Sequence, residues 1–183
     1  MPYTAIKRLL NPVIIQDSDQ ERGRVQLKEN AANAKLKSLW CYGLDDNSVV
    51  FKLDKNHKNF SKKSAFLNPG HKDIHKGCDY IIITRYKNKN AIIFCELKSN
   101  NIAGAKKQLF CSVPFIDYLI SLLKTHQDID IGGFERHFVI FSSSRRFRKQ
   151  GISRKLESVS YENISSIKMA GSPQQIHIGR ILA

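Results

Sequence analysis

Residues 94–99 read FCELKS. An apolar run, AIIFC, carries directly into the carboxylate of Glu96, and one leucine separates that from the ammonium of Lys98. Upstream, DYIIITRY (79–86) opens on a second carboxylate, Asp79. Charges at the end of a buried strand are costly unless they are paired or bound to metal. The two stretches are joined by KNKN and read as an antiparallel hairpin. Closing the hairpin on Lys87 to Asn90 sets Tyr86 against Ala91, Asp79 opposite Lys98, and Glu96 opposite Ile81. Side chains alternate faces along a strand, so Asp79, Glu96 and Lys98 then share one face. Asp79 and Glu96 become diagonal neighbours roughly 7–8 Å apart at the backbone, close enough for two carboxylates to share a cation. Lys98 alone neutralises only one of them. Hard carboxylate oxygens suit Mg²⁺ or Mn²⁺ rather than zinc. Such an ion polarises a phosphodiester and acidifies a bound water, while a neighbouring ammonium orients or helps deprotonate that water and offsets phosphate charge.

The elements that must carry these groups follow from hydrophobic pattern. RVQLKENAANAKLKSLW (24–40) puts Val25, Ala32, Leu36, Leu39 and Trp40 at helical steps if Glu29 fills the gap. This predicts an amphipathic helix with Glu29 on its inward stripe, as a third carboxylate; a solvated position at the stripe's edge fits equally well. SVVFKLD (48–54) reads as a short strand, and residues 55–77 as a polar, basic loop. After SNN, apolar Ile102, Ala105, Leu109, Val113, Ile116, Ile120 and Leu123 predict a long helix that Pro114 kinks or splits. HFVIFSS (137–143) reads as a buried strand and QIHIGRIL (175–182) as a last one. This order predicts an α/β fold with a mixed sheet in a single domain, its core at about 25–143 and a basic extension at 144–183.

The charge balance points to a polyanionic partner. Of the 183 residues, 30 are Lys or Arg and 16 are Asp or Glu, a net charge of +14, which attracts nucleic acid first and anionic membrane second. Two basic-aromatic segments are candidate contacts. Arg145, Arg146, Arg148 and Lys149 flank Phe147 just after the hydroxyl triplet SSS, and Lys62 and Lys63 lie in HKNFSKKSAF. His71, His75 and Cys78 have a spacing that zinc can use, but a polar loop leading into the Asp79 strand is the preferred reading. Either histidine could reach a phosphate near Asp79. No apolar stretch approaches the ~20 residues of a membrane helix, and no signal peptide is recognised. The four cysteines form no CxxC pair and are expected to be reduced thiols of a cytoplasmic protein.

Asp79, followed by Glu96-Leu97-Lys98 on the partner strand, resembles the PD-(D/E)XK, or restriction-endonuclease-like, nuclease superfamily. Cys78 stands where that motif has its proline. The QxxxY pattern of one exonuclease branch is absent, because Ser112 is the fourth residue after Gln108. The resemblance implies an αβββαβ core, a central mixed sheet flanked by helices. It implies that Asp79 and Glu96 bind Mg²⁺ and that Lys98 assists the water. Glu29 would match the glutamate of a preceding helix, and Gln108 or Lys107 the functional residue of the following one. It further implies an endonuclease acting on DNA, with RNA left open, and a homodimer for double-strand cutting. A protein partner supplying specificity, and a place in restriction, mobile-element or phage defence, come by the same analogy. The competing reading is a non-catalytic nucleic-acid- or protein-binding module on the same fold, with Asp79, Glu96 and Lys98 as a structural ion network.

Overall fold

The computed structural model describes residues 2–17, 19, 22–29, 34–53, 71, 74–99, 102–143, 156–161, 164–171 and 175–183, without the side chains of 157–159, 165 and 171. Lys62, Lys63, Arg145, Arg146, Arg148 and Lys149 lie outside these residues.

The chain opens with helix α1 (Pro2–Leu9), which buries Tyr3, Ala5 and Ile6. Next come strands β1 (Arg24–Lys28) and β2 (Ser38–Tyr42), paired antiparallel. The helix expected over 24–40 is therefore not present. Val25, Leu27, Leu39 and Cys41 are all fully buried, each separated from its neighbour by a polar or half-exposed residue. That is the period of two of a half-buried strand, and it outcompetes the looser helical spacing once a partner strand is available.

Three strands follow as an antiparallel meander: β3 (Val49–Lys52), β4 (Tyr80–Tyr86) and β5 (Lys89–Lys98). The β4–β5 loop is two residues long, Lys87 and Asn88, with φ of 46° and 64°. Positive φ at both central residues gives a hairpin turn whose twist matches that of the strands. Tyr86 consequently pairs with Lys89 rather than Ala91. The register is displaced by two residues from the expected one. An even displacement changes partners but preserves faces.

Helix α2 (Ala105–Gln127) runs without interruption through Pro114. Leu109, Ser112, Ile116, Leu119 and Leu123 are buried along it, and this packing outweighs the single backbone hydrogen bond that a proline removes. Strand β6 (Glu135–Ser142) then aligns parallel to β5. Strand β7 (Glu157–Tyr161) pairs antiparallel with β8 (Ile164–Gly171), which lies parallel to β6. Strand β9 (Gln175–His177) pairs parallel with β2, and a short helix α3 (Gly179–Leu182) follows it.

The result is a mixed α/β fold with two sheets. The larger has the order β3-β4-β5-β6-β8-β7 and the smaller β1-β2-β9. Helices α1 and α2 cover one face of the large sheet, over Ile81, Ile83, Ile92, Phe94 and Ile140. The other face, with Tyr80, Ile82, Ile93, Cys95 and Val139, is covered by the small sheet and α3. On that second face the cover is mainly a second sheet, because the apolar residues Val25, Leu27, Leu39 and Cys41 alternate along their strands. No described helix is long and apolar enough to cross a membrane.

Candidate carboxylate site at the β4–β5 edge

β4 and β5 end beside each other at Asp79 and Glu96. Continuing the register of Tyr80 with Cys95 sets these two residues directly opposite, one step beyond the ladder. Their contact is reciprocal. The Asp79 N–H donates to Glu96 Oε2 at 3.1 Å, and the Leu97 N–H donates to Asp79 Oδ2 at 2.6 Å. Each carboxylate is thus held by the backbone of the opposite segment, which fixes both on the α2 side of the sheet. Lys98 Nζ approaches Glu96 Oε1 at 2.5 Å. The approach is an ion-pair contact without hydrogen-bond geometry, so Oε1 is a buried oxygen with no hydrogen-bond partner.

The Glu96 side chain is fully buried, whereas that of Lys98 is 25 % exposed. Burial, followed by the charge of Asp79, pushes the Glu96 carboxyl up from 4.5 to about 8, against the opposing pull of Lys98. At neutral pH the Glu96 carboxyl is therefore held largely in its protonated form. Next to them, burial above all pushes the Tyr80 phenol up to about 12, with Asp79 and Glu29 adding to the shift. The Tyr80 hydroxyl donates to the Lys28 carbonyl at 2.9 Å and accepts from the Lys28 N–H at 2.8 Å, which ties β1 to the same corner.

The approach to Asp79 is held by α2. Ser112 Oγ accepts the Cys78 N–H at 2.7 Å and donates to the Gln108 carbonyl at 2.8 Å. Gln108 Nε2 donates to the Gly77 carbonyl at 3.2 Å. Gln108 therefore reaches the segment that positions Asp79 rather than the carboxylates, and Lys107 is exposed beside it on the first turn. Ser112, noted in the sequence only as the residue that breaks QxxxY, is a positioning residue. Its signal was available: it lies one helical turn from Gln108, on the same face. Beyond Lys98, the Ser143 N–H donates to the Lys98 carbonyl at 3.1 Å and the Ser143 hydroxyl to the Ser99 carbonyl. Ser142, fully buried, pairs with Lys98 across β5 and β6.

Glu29 follows β1, and its N–H donates to the Lys37 carbonyl at 2.9 Å. Among the described residues no group of three or more His, Cys, Asp or Glu side chains is placed to hold a metal. Glu29 therefore does not complete a triad with Asp79 and Glu96, and His71, His75 and Cys78 do not form a zinc site. The reason for the first is the strand at 24–28, which replaces the helix meant to carry Glu29 inward. Both ring nitrogens of His75 are buried without a hydrogen-bond partner among the described residues. The carboxylate pair still fits Mg²⁺ or Mn²⁺, since Mg²⁺ is commonly held by one or two carboxylates and completes its shell with water and phosphate. All four cysteines are free thiols, and Cys41, Cys78 and Cys95 are buried.

A cavity of about 590 Å³, lined by Phe110, Arg136, His137 and Lys168 among others, lies at the opposite end of β6 from this corner. It is separate from the carboxylate chemistry. Compared with family models, with curated proteins and with solved structures, the chain matches none of them.

Proposed function

We propose that this chain is a divalent-metal-dependent endonuclease that hydrolyses phosphodiester bonds, with DNA as the favoured substrate. The observation that carries the reading is the reciprocal clasp of Asp79 and Glu96 with Lys98 in ionic contact. A buried carboxyl raised to about 8 beside a second carboxylate is poorly satisfied by a lone ammonium and well satisfied by a divalent cation. Support for a restriction-endonuclease-like core comes from the succession α1, β3-β4-β5 antiparallel, α2, and β6 parallel to β5. In this reading β1 and β2 are inserted between the first helix and the meander. The net charge of +14 supports a polyanionic substrate.

When bound, the cation supplies Lewis-acid polarisation of the phosphate and a more acidic water. Asp79 and Glu96 would hold it through carboxylates already oriented by backbone donors. Lys98, freed from full pairing with Glu96, orients the water for in-line attack and offsets charge on the phosphate. Ser112 and Gln108 keep the 77–79 segment in place. Specificity from a protein partner, a homodimer for double-strand cutting, and a place in restriction, mobile-element or phage defence rest on the resemblance alone.

The test is incubation of plasmid, linear duplex and single-stranded DNA, with an RNA panel alongside, in Mg²⁺, Mn²⁺ or EDTA. The wild type is compared with Glu96→Ala and Lys98→Ala. Metal-dependent cutting that both substitutions abolish is the expected result. Intact nucleic acid in every metal condition, with binding that neither substitution alters, overturns the proposal. That outcome would favour the binding-module reading, for which the 2.5 Å contact between Lys98 and Glu96 is a closed structural ion pair.

A further inference from the structure

The small sheet has two unlike faces. Val25, Leu27, Leu39, Cys41 and Ile176 point into the core, each no more than 1 % exposed. Strand alternation turns the intervening residues outward, and the register sorts them into rows. Arg24 lies beside Tyr42, which lies beside His177; Gln26 lies beside Trp40, which lies beside Gln175; Lys28 lies beside Ser38. The middle strand therefore presents two aromatic rings, Tyr42 between Arg24 and His177 and Trp40 between Gln26 and Gln175, with Lys28 at the end of the outer row.

These side chains are held in position. The Arg24 guanidinium stands 4.5 Å from the centre of the Trp40 ring, and its Nε donates to Asp19 at 2.9 Å. Gln26 Nε2 donates to Ser38 Oγ at 3.2 Å. His177 packs edge-on against Tyr42 at 4.9 Å and against Tyr86 at 5.6 Å. Its Nδ1 accepts the Gly179 N–H at 3.0 Å. Gly43, at φ +82°, leaves the space that the His177 ring occupies, because a Cβ there would collide with it. Tyr42 remains 37 % exposed, and Lys28 is exposed at the end of the row.

We infer that this outer face is a stacking platform for single-stranded nucleic acid, with Tyr42 and the face of Trp40 not covered by Arg24 each receiving a base. The geometry selects the single strand. Rings two residues apart on one strand are roughly 7 Å apart, about twice the 3.4 Å rise between stacked bases of a duplex. Bases seated on both rings are therefore unstacked from one another, as an unpaired chain allows and a duplex forbids. Aromatic faces accept any base, Gln26 and Gln175 offer both hydrogen-bond donors and acceptors, and Arg24 and Lys28 meet phosphates. The Lys28 end of the platform is the end bonded to Tyr80, the neighbour of Asp79. The Asp79 and Glu96 carboxylates themselves lie on the other, α2 side of the large sheet. The inference deepens the nuclease reading by naming its substrate class, yet binding to the platform needs neither metal nor cutting.

Trp40 is the chain's only tryptophan, so its fluorescence reports on the platform directly. The experiment titrates full-length protein in EDTA with a fifteen-nucleotide oligo(dT), the matching oligo(rU), and a duplex of equal length. Binding is followed by both Trp40 emission and oligonucleotide anisotropy. The expected result is quenching of Trp40 by one or both single strands, with tighter binding than to the duplex. Tyr42→Ala should weaken that binding at least about fivefold, the equivalent of one lost base stack. Tyr42→Leu, which keeps apolar bulk without the ring, should do the same and decides the matter if the alanine variant misfolds. Trp40 emission unmoved at saturation, preferential duplex binding, or Tyr42 variants within twofold of wild type would each overturn the platform. Metal-dependent cutting without Trp40 quenching defeats the platform alone, and quenching without cutting defeats the nuclease reading alone.

Discussion

Replacing Glu96 by glutamine tests the electrostatic account of the carboxylate corner without any substrate. Glutamine keeps an acceptor for the Asp79 N–H but cannot ionise. The wild-type carboxyl rises from 4.5 in the unfolded chain to about 8 in the fold, chiefly through burial. A group whose pKa is raised on folding stabilises the protein fully below its unfolded value, and that stability is lost as pH rises toward the folded value. For Glu96 the window is thus pH 4.5 to about 8, and metal-free wild type weakens across it. At about 1.4 kcal/mol per tenfold change in proton affinity, the loss between pH 5 and pH 8 is roughly 3–4 kcal/mol. The assay is urea unfolding in EDTA across that range for wild type and Glu96→Gln. Other titrating groups are common to both proteins, so the difference between the two curves reports residue 96 together with its coupling to Asp79 and Lys98. The wild type should lose stability relative to the variant by about that amount as pH rises. Parallel curves would refute the reasoning, since Glu96 would then titrate alike in the folded and unfolded chains. Mg²⁺ at a hundredfold its dissociation constant should restore about 2.7 kcal/mol to the wild type at pH 8 and none to the variant.

Ser112→Ala leaves the buried Cys78 N–H without its acceptor and should cost about 1–3 kcal/mol in a chemical melt. Asn88→Val forces a β-branched residue into φ 64° and should cost about 1–2 kcal/mol, whereas Asn88→Gly should be neutral or better. A disulfide-exchange reagent at pH 8 should modify one thiol of the folded protein rapidly. That thiol is Cys111, because Cys41 and Cys95 are buried with burial pushing both thiols up, Cys41 to about 12, and Cys78 is buried too. Phe94→Ala removes a fully buried ring stacked 4.6 Å from Phe138 and should cost about 3–5 kcal/mol.

The carboxylate corner was legible because its logic is local. Period-two alternation in DYIIITRY and AIIFCELK fixes which residues share a face, and a register error of two leaves that assignment intact. The sequence therefore sufficed to put Asp79, Glu96 and Lys98 on one side of a hairpin. It did not supply their partners. Whether Asp79 faces Lys98 or Glu96 depended on a two-residue turn in which Lys87 and Asn88 take positive φ, a conformation that KNKN permits without demanding. Residues 24–40 carry apolar groups at spacings that serve either a helix or two strands. Only β9, more than 130 residues along the chain, together with the exposed flank of the large sheet, decided for strands. That decision removed Glu29 from the carboxylates and created the outward row of Trp40 and Tyr42. Gln108 was located on its helix by sequence, but its engagement with Gly77 and the role of Ser112 required α2 to be docked against the 77–79 segment. The sequence by itself determined which chemical groups the chain possesses and which face of a strand they take, since both follow from residue type and backbone period. Tertiary structure alone decided which groups meet, because meeting depends on non-local pairing whose energy is shared among many side chains and written in no single segment.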